Sequence, residues 1–483
     1  MAETPLETEI VTFRGGIVTL LVPIFFFLAA TVYLFIGAQA FDLTALALVG
    51  FLMLFLGSLL ARHPSQYWRA AMAGIASEMA ATVTVLLLSA GVFSAMMKAG
   101  GLSAAITGLG VTLGLGSAAF TVFVLLASAL MATATGSSIG TILTATPVFF
   151  PAGVALGADP TLLAGAILSG AVFGDNLAPV SDVTIISALT QHHADGRTAE
   201  VADVVRSRTP YALLALALCL PGYALLGHYN TAAAALGTAG SMAAPLTGLI
   251  MLAPVVVLIV VAVRTRDILR AITAGLLVGI PLGLFCGAFT PHDVFHVEKG
   301  APAGFLYAGL SNMAGIVLLC LMLFGFTGVV ARAGLEEQLA ARLARRGRKT
   351  SGAAPFSARA FELLLAALIM GVTVLFAGVT SASCALVGTL TDRLGTECGV
   401  RAERRSHLLS GFANSLPVLC PFSAFVLITA AVAKSDLLTA PLGPVDILTG
   451  AFYPMALFVV FSVSILTGIG RGTAHALRAE SVE

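Results

Sequence analysis

Two aspartates, Asp175 and Asp182, stand in the stretch Ile167 to Thr190, ILSGAVFGDNLAPVSDVTIISALT, and between Gly101 and Thr190 the only other charged residue is Asp159. Carboxylates are costly at bilayer depth, so a pair of them in so apolar a run marks a functional site. The residues between them are Asn176, Leu177, Ala178, Pro179, Val180 and Ser181. Pro179 cannot donate to the carbonyl of Asp175, and it pushes Ala178 out of helical geometry. A helix should therefore break from 174 to 182, freeing carbonyl oxygens beside two carboxylates. Hard monovalent cations favour such oxygen ligands, and Asn176, Ser181 and Thr184 add more. Two carboxylates flanking one break would face a common cavity and titrate as a pair. The competing account makes Ser181 or Asp182 an N-cap of the resuming helix and turns Asp175 toward a polar vestibule.

A second polar cluster, Thr135-Gly136-Ser137-Ser138-Ile139-Gly140-Thr141, lies between two apolar arms, 117–134 and 142–158. Non-helical backbone at membrane depth is tolerated where it lines a cavity. Thr135, Gly136, Ser137, Ser138 and Thr141 are therefore read as the tip of a re-entrant hairpin, the alternative being a loop between two full spans. The second half carries a parallel set: Thr380, Ser381 and Ser383 in a tip at 378–384, and Asn414, Ser415 and Ser423 around a break at Pro417 and Pro421.

The elements that position these residues follow from composition. Of 483 residues, 58% are hydrophobic and 10% charged, with mean hydropathy +1.00. A soluble domain would carry about a quarter charged residues. Apolar runs near the ~20 residues that span a bilayer recur from Ile17 to Gly470, and they are too long and uniform for a barrel. The fold class is an all-α polytopic membrane protein of about 10 spans plus two hairpins. The net charge of +1 gives no reason to expect nucleic acid, and six scattered cysteines show neither metal nor redox spacing. Glu3, Glu7 and Glu9 ahead of the first run do not look like the basic region of a cleavable signal.

Taken in order, residues 1–16 form a tail and 17–240 a first repeat with tip 135–141 and broken helix 161–190. A polar loop fills 191–209. Residues 241–470 form a second repeat with tip 378–384 and broken helix 408–433, and 471–483 a second tail. LLASALM (125–131) matches LLAALIM (364–370), and AILSGA (166–171) matches HLLSGF (407–412), at an offset of about 230 to 245 residues. Placing the basic loops 61–70, 264–270 and 332–358 (with Arg342, Arg345, Arg346, Arg348 and Lys349) inside by charge bias makes span 77–97 run outward and its partner 312–331 inward. The repeats are then inverted, with both tails cytoplasmic and the site between them, the arrangement of many secondary transporters.

Other motifs carry plainer readings. Gly136-Ser137-Ser138-Ile139-Gly140 fits G-x-S-x-G, but a nucleophile elbow needs a soluble strand–helix context, so no enzyme is expected. His192, His193, His292 and His296 read as solvated loop residues, a pH-sensing role for the first two being the alternative. Tyr67 and Trp68 suit an interfacial belt. Gly275, Gly279, Gly283 and Gly287 form a small-residue stripe for close helix contact within the fold or in a homodimer.

The first-half motifs resemble those of the NhaC-type sodium/proton antiporters of the ion transporter superfamily. The hairpin signature is close to T-G-[ST]-S-x-G-T, met by Thr135, Gly136, Ser137, Ser138, Gly140 and Thr141. The broken-helix signature is close to G-D-K-x-S-P-L-S-D-T-T, met by Gly174, Asp175, Pro179, Ser181, Asp182 and Thr184. Asn176 stands where the family has Lys, Ala178 replaces a Ser and Val183 a Thr. The second break, Asn414 to Pro421, keeps its prolines but has no carboxylate. The resemblance implies an inner-membrane secondary transporter without cofactors, exchanging Na+ for H+ by competition at the paired aspartates. The alternative is Na+- or H+-coupled transport of a small organic acid or amino acid, held by helix N-termini without any buried Lys or Arg.

Overall fold

The computed structural model describes residues 10–38, 42–112, 116–193, 195–229, 246–265, 267–334, 357–435, 438 and 441–471. Residues 1–9 and 472–483 of the tails, the boundary between 240 and 241, and the basic run from Arg342 to Lys349 fall outside these residues. Among the described residues, 10 helices are long and apolar enough to cross a membrane, or up to 12 if each bent pair counts as one span.

In chain order the first half gives α1 (Leu21–Val32), α2 (Leu43–Leu60), α3 (Pro64–Ile75), α4 (Glu78–Ala99), α5 (Leu102–Thr112), α6 (Ser117–Thr135), α7 (Ser138–Ala155), α8 (Pro160–Leu177), α9 (Asp182–Leu189) and α10 (Val201–Tyr229). The second half gives α11 (Leu252–Thr265), α12 (Ile268–Phe285), the single turn α13 (Pro291–Val294) and α14 (Phe305–Ala331). It continues with α15 (Ala358–Leu375), α16 (Thr380–Glu397), α17 (Ala402–Ala413), α18 (Ala424–Val432), α19 (Pro444–Gly450) and α20 (Phe452–Thr467).

Polar residues at the ends of the apolar runs start the helices. Asp42, Ser77, Asp159 and Ser357 each accept a backbone N–H two or three residues on, a cap worth about 1 kcal/mol. The basic stretch expected as a loop at 61–70 is instead the start of α3, with Pro64 at its first turn. Tyr67 is fully buried there against Gly57, so it is a packing residue and not part of an interfacial belt. Among the described residues, one exception to all-α is a two-stranded hairpin, β1 (His296–Glu298) with β2 (Ala301–Ala303). Lys299 and Gly300 both take positive φ in its turn, the tight-turn geometry that suits twisted strands.

Close glycine contacts fix helix directions. A Cβ at Gly74, near the end of α3, would meet Gly328, and one at Gly91 of α4 would meet Gly309, so the chain from the end of α3 through α4 runs antiparallel to α14. Ser406 reaches Ser187 at 3.1 Å and Asn414 reaches Asn176 at 3.0 Å, so α17 also runs antiparallel to α8 and α9. Opposed directions of matching elements are what an inverted repeat requires. Gly275 and Gly279 approach Phe93 and Met96 of α4, so the glycine stripe serves contact within the chain.

The ends also sort. Val11 donates to Arg332 and Arg62 donates to Thr12, which brings 11–14, 60–62 and 332 to one face. α12 runs parallel to α4, with Gly275 beside Phe93 and Gly279 beside Met96. The antiparallel hairpin 296–303 lies on the opposite face, beyond the end of α12.

Candidate functional site

The α8–α9 segment is the most enclosed span, with 89% of its apolar window buried. Its interruption is shorter than the sequence reading placed it. Helix persists through Gly174, Asp175, Asn176 and Leu177, and only 178–181 unwind. The reason is local: Ala178 still donates to Gly174 at 2.9 Å, while the clash of Pro179 acts one residue later. Asp175 and Asn176 therefore lie on the last turn of α8, Ser181 is the N-cap of α9 without a side-chain bond, and Asp182 is its first residue.

The two aspartates sit in different surroundings. Asp175 is 4% exposed, whereas Asp182 has the more accessible side chain. They remain within electrostatic reach of each other. Asp182 Oδ1 accepts the Val183 N–H at 2.9 Å, and the Ser381 side chain faces its carboxylate.

Around Asp175 the hydroxyls of Ser138 and Ser181 stand beside the carboxylate without completing a hydrogen bond. Thr141 lies one turn beyond Ser138, and its Oγ1 is also without a partner. Asn414 donates its amide to Asn176 and leaves its own Oδ1 unmatched. Buried polar atoms are nearly always satisfied. Here Asp175 Oδ1, Ser138 Oγ, Thr141 Oγ1, Ser181 Oγ and Asn414 Oδ1 are all orphaned. They come from α7, α8, the break and the end of α17, and of these Ser138 and Ser181 stand beside the Asp175 carboxylate.

Gly136 allows the tip to close on the break. It takes φ +68 at the turn between α6 and α7, and a Cβ there would stand 2.8 Å from Val180 and 2.9 Å from the Ser181 backbone N. The tip is thus two residues, Gly136 and Ser137, not the seven of 135–141, because both helices extend inward to it. α6 and α7 are each long and apolar enough to span. Gly378, with φ +85, packs likewise on Ser423, and Ala424 donates to Ala377 at 2.9 Å. That second tip is 376–379, and its broken helix begins at Ala402, not 408.

Several expected contacts spend their hydroxyls on the backbone. Thr135 donates to Met131, Ser383 to Val379, Ser415 to Phe412 and Ser423 to Val418. Ser137 caps α7 by accepting from Gly140 at 3.1 Å. Thr380 is buried at the start of α16. Pro179 is exposed, Pro417 lies in a short 3-10 turn, and Pro421 lies in the link to α18.

One central residue escaped the sequence reading. Arg208 is fully buried. Its Nη2 donates to Thr184 at 2.7 Å and its Nη1 to Ser410 at 2.8 Å, while Nε has no partner. The alternative in which helix N-termini hold an acid without any buried Lys or Arg thus meets a buried arginine beside α9. The polarity of 191–209 suggests a loop and hides this residue, whereas α10 begins at Val201. Val204 and Arg208, one turn apart, then share the buried face.

Two further networks lie beside α17. Arg404 and Arg471 both pair with buried Glu362, at 3.0 and 2.6 Å. Arg405 binds Asp392 at 2.8 Å and the His192 carbonyl at 2.6 Å, and His192 Nδ1 meets Asp392 at 2.9 Å. His193 stands 3.6 Å from Glu403. These two histidines lie in the loop after α9, His192 exposed and His193 half-exposed, and their ion-pair contacts tie the end of α9 to α16 and α17. His292 and His296 stack with ring centroids 3.6 Å apart in the opposite loop.

The Na+/H+ antiporter family matches residues 2–228, the part that holds both first-half motifs. A malate-2H+/Na+-lactate antiporter of Bacillus subtilis is 30% identical over 234 residues, 45% of this chain and 48% of the relative. The Na+/H+ antiporter NhaC of Alkalihalophilus pseudofirmus is 27% identical over 244 residues, 47% of this chain and 51% of its own. The chain thus spans about half the length of these curated relatives. Among solved structures, the Alcanivorax borkumensis YdaH transporter aligns over 89% of this chain and 98% of its own at 17% identity, with a TM-score of 0.40, too loose a likeness to fix topology.

Proposed function

Taking residues 2–228 as a member of the Na+/H+ antiporter family, we propose that this protein is a secondary transporter of the cell membrane that exchanges Na+ for H+. The observation that carries the reading is the pair of orphaned hydroxyls beside buried Asp175. A desolvated Na+ would find ligands there in Asp175, Ser138 and Ser181, with Thr141 and Asn414 as the remaining candidates. A proton on Asp175 would remove the charge that holds it. Asp182, exposed at the same break, would be the first carboxylate an entering cation meets. Competition at these groups is sufficient for exchange if the empty, charged site cannot reorient.

In this reading 17–240 and 241–470 act as inverted repeats that rock about the site, and 61–70 and 264–270 are cytoplasmic. The test is Na+-driven proton movement in proteoliposomes of the purified full chain, with only inorganic counter-ions present. Wild type should move protons against sodium, and Asp175→Asn should not. Absence of sodium-dependent proton flux from wild type at every pH would end this reading.

A further inference from the structure

Arg208 is a buried cation that lacks a matched anion. Among the described residues it forms no ion pair, in contrast to Arg404, Arg405 and Arg471 nearby. Its two Nη groups are held by neutral hydroxyls, and Nε is orphaned. The carboxylate that acts on it through space is Asp175. Buried charges need compensation, and leaving one uncompensated is strongly unfavourable.

That dependence has a consequence for the cation cycle. While Asp175 is ionised and empty, its charge offsets Arg208. Once Na+ or a proton occupies Asp175 the offset is spent, and the guanidinium is left as a bare buried cation. An anion entering at that moment restores the balance. A planar guanidinium with a free Nε edge suits a carboxylate above other anions, because the fork can donate two parallel hydrogen bonds. The groups nearby are hydroxyls: Thr184 and Ser410 on the fork, and Ser187 bonded to Ser406 at 3.1 Å one turn away. Thr184 belongs to α9 and Ser410 to α17, so the anion would be felt by both broken helices.

We propose that Arg208 anchors the carboxylate of a small organic acid, carried together with the Na+ or proton that occupies Asp175. The inference rests on the cation reading of Asp175.

The experiment uses the full chain in proteoliposomes, with labelled lactate and malate as probes beside a panel of two- to five-carbon carboxylates, and with proton flux read separately in chloride. Wild type should accumulate at least one of these acids in a sodium- or proton-dependent manner. Arg208→Gln should lose that uptake by about tenfold or more, the size expected for charge-assisted hydrogen bonds, and Arg208→Lys should retain part of it. In wild type, a transported acid should also raise apparent sodium affinity, a readout independent of how the variants fold. Sodium-driven proton flux without uptake of any acid, and without an acid effect on sodium affinity, would overturn the anion site alone. Loss of sodium-driven proton flux in chloride with acid uptake intact would strike the exchange reading instead. Uptake unchanged in Arg208→Gln would make Arg208 a structural clamp and overturn the proposal.

Discussion

Asn414 donates through Nδ2 to Asn176 Oδ1 at 3.0 Å, and Asn176 donates in turn to Tyr453 Oη at 3.3 Å. Asn176 lies on the last turn of α8, and Asn414 is the C-cap of α17, so this bond joins the two helix interruptions directly. Either broken helix can move alone only by releasing a buried amide. Asn414→Ala should therefore destabilise the protein by about 1–3 kcal/mol, the cost of an unsatisfied buried polar group. It should also weaken sodium binding by removing one candidate oxygen ligand. In a double-mutant cycle with Asn176→Ala, the two substitutions should be less than additive. Strict additivity in thermal unfolding would mean that the breaks are independent.

Replacement of the carboxylates separates site from scaffold. Asp175→Asn and Asp182→Asn should each abolish or strongly impair exchange while leaving expression near normal. Asp159→Asn should be mild, because Asp159 caps α8 through the Leu162 N–H at 3.0 Å and Asn caps a helix as well as Asp does. Flux assays on the three purified variants check this. Normal exchange by both site variants would reduce the aspartates to helix-end residues.

The tip–break contact makes a steric prediction. Gly136→Ala forces a side chain into φ +68 and to 2.8 Å from Val180, at a backbone cost of about 1–2 kcal/mol before any clash. Transport should fall sharply. Gly371→Ala in α15 meets nothing within 4 Å and should be neutral or slightly stabilising, since Gly inside a helix is unfavourable. Unfolding temperatures and flux measured side by side give the comparison.

Much of this site was legible because proline and charge are unambiguous signals in apolar sequence. Pro179 between Asp175 and Asp182 marked the break, and Gly136 marked the tip. Helix ends were less legible: the apolar runs stop where hydrophobicity stops, but the helices continue. α10 starts at Val201, inside the stretch that reads as a polar loop, and α17 starts at Ala402, ahead of the expected 408. The buried cations Arg208, Arg404 and Arg405 lay hidden in those extensions. Glu362, a lone acid in the apolar start of α15, was the available clue that an arginine would come to meet it.

Topology is checked by single cysteines in a background lacking the native six. Cysteines at exposed Ser65, Thr265 and Arg197 should label from one side of the membrane, and one at exposed Val297 from the other. Labelling of 65 and 265 from opposite sides would contradict the inside placement of both basic stretches.

The residue at 176 gives the sharpest test of how cations share the site. Asn176 lies beside Asp175 and is fully buried, with Arg208 already present as one fixed positive charge. Asn176→Lys would add a second. A cation next to a carboxylate favours the ionised form, so a proton would compete for the site only at lower pH. The same charge would repel Na+. Exchange by Asn176→Lys should thus show an activity profile displaced toward acid and a weaker apparent sodium affinity. In wild type the apparent sodium affinity should weaken as pH falls, because both cations claim Asp175. Sodium titrations of proton flux across a pH series, run on wild type and variant together, read both effects. A sodium affinity independent of pH in wild type would exclude competition at one carboxylate, whatever the variant does.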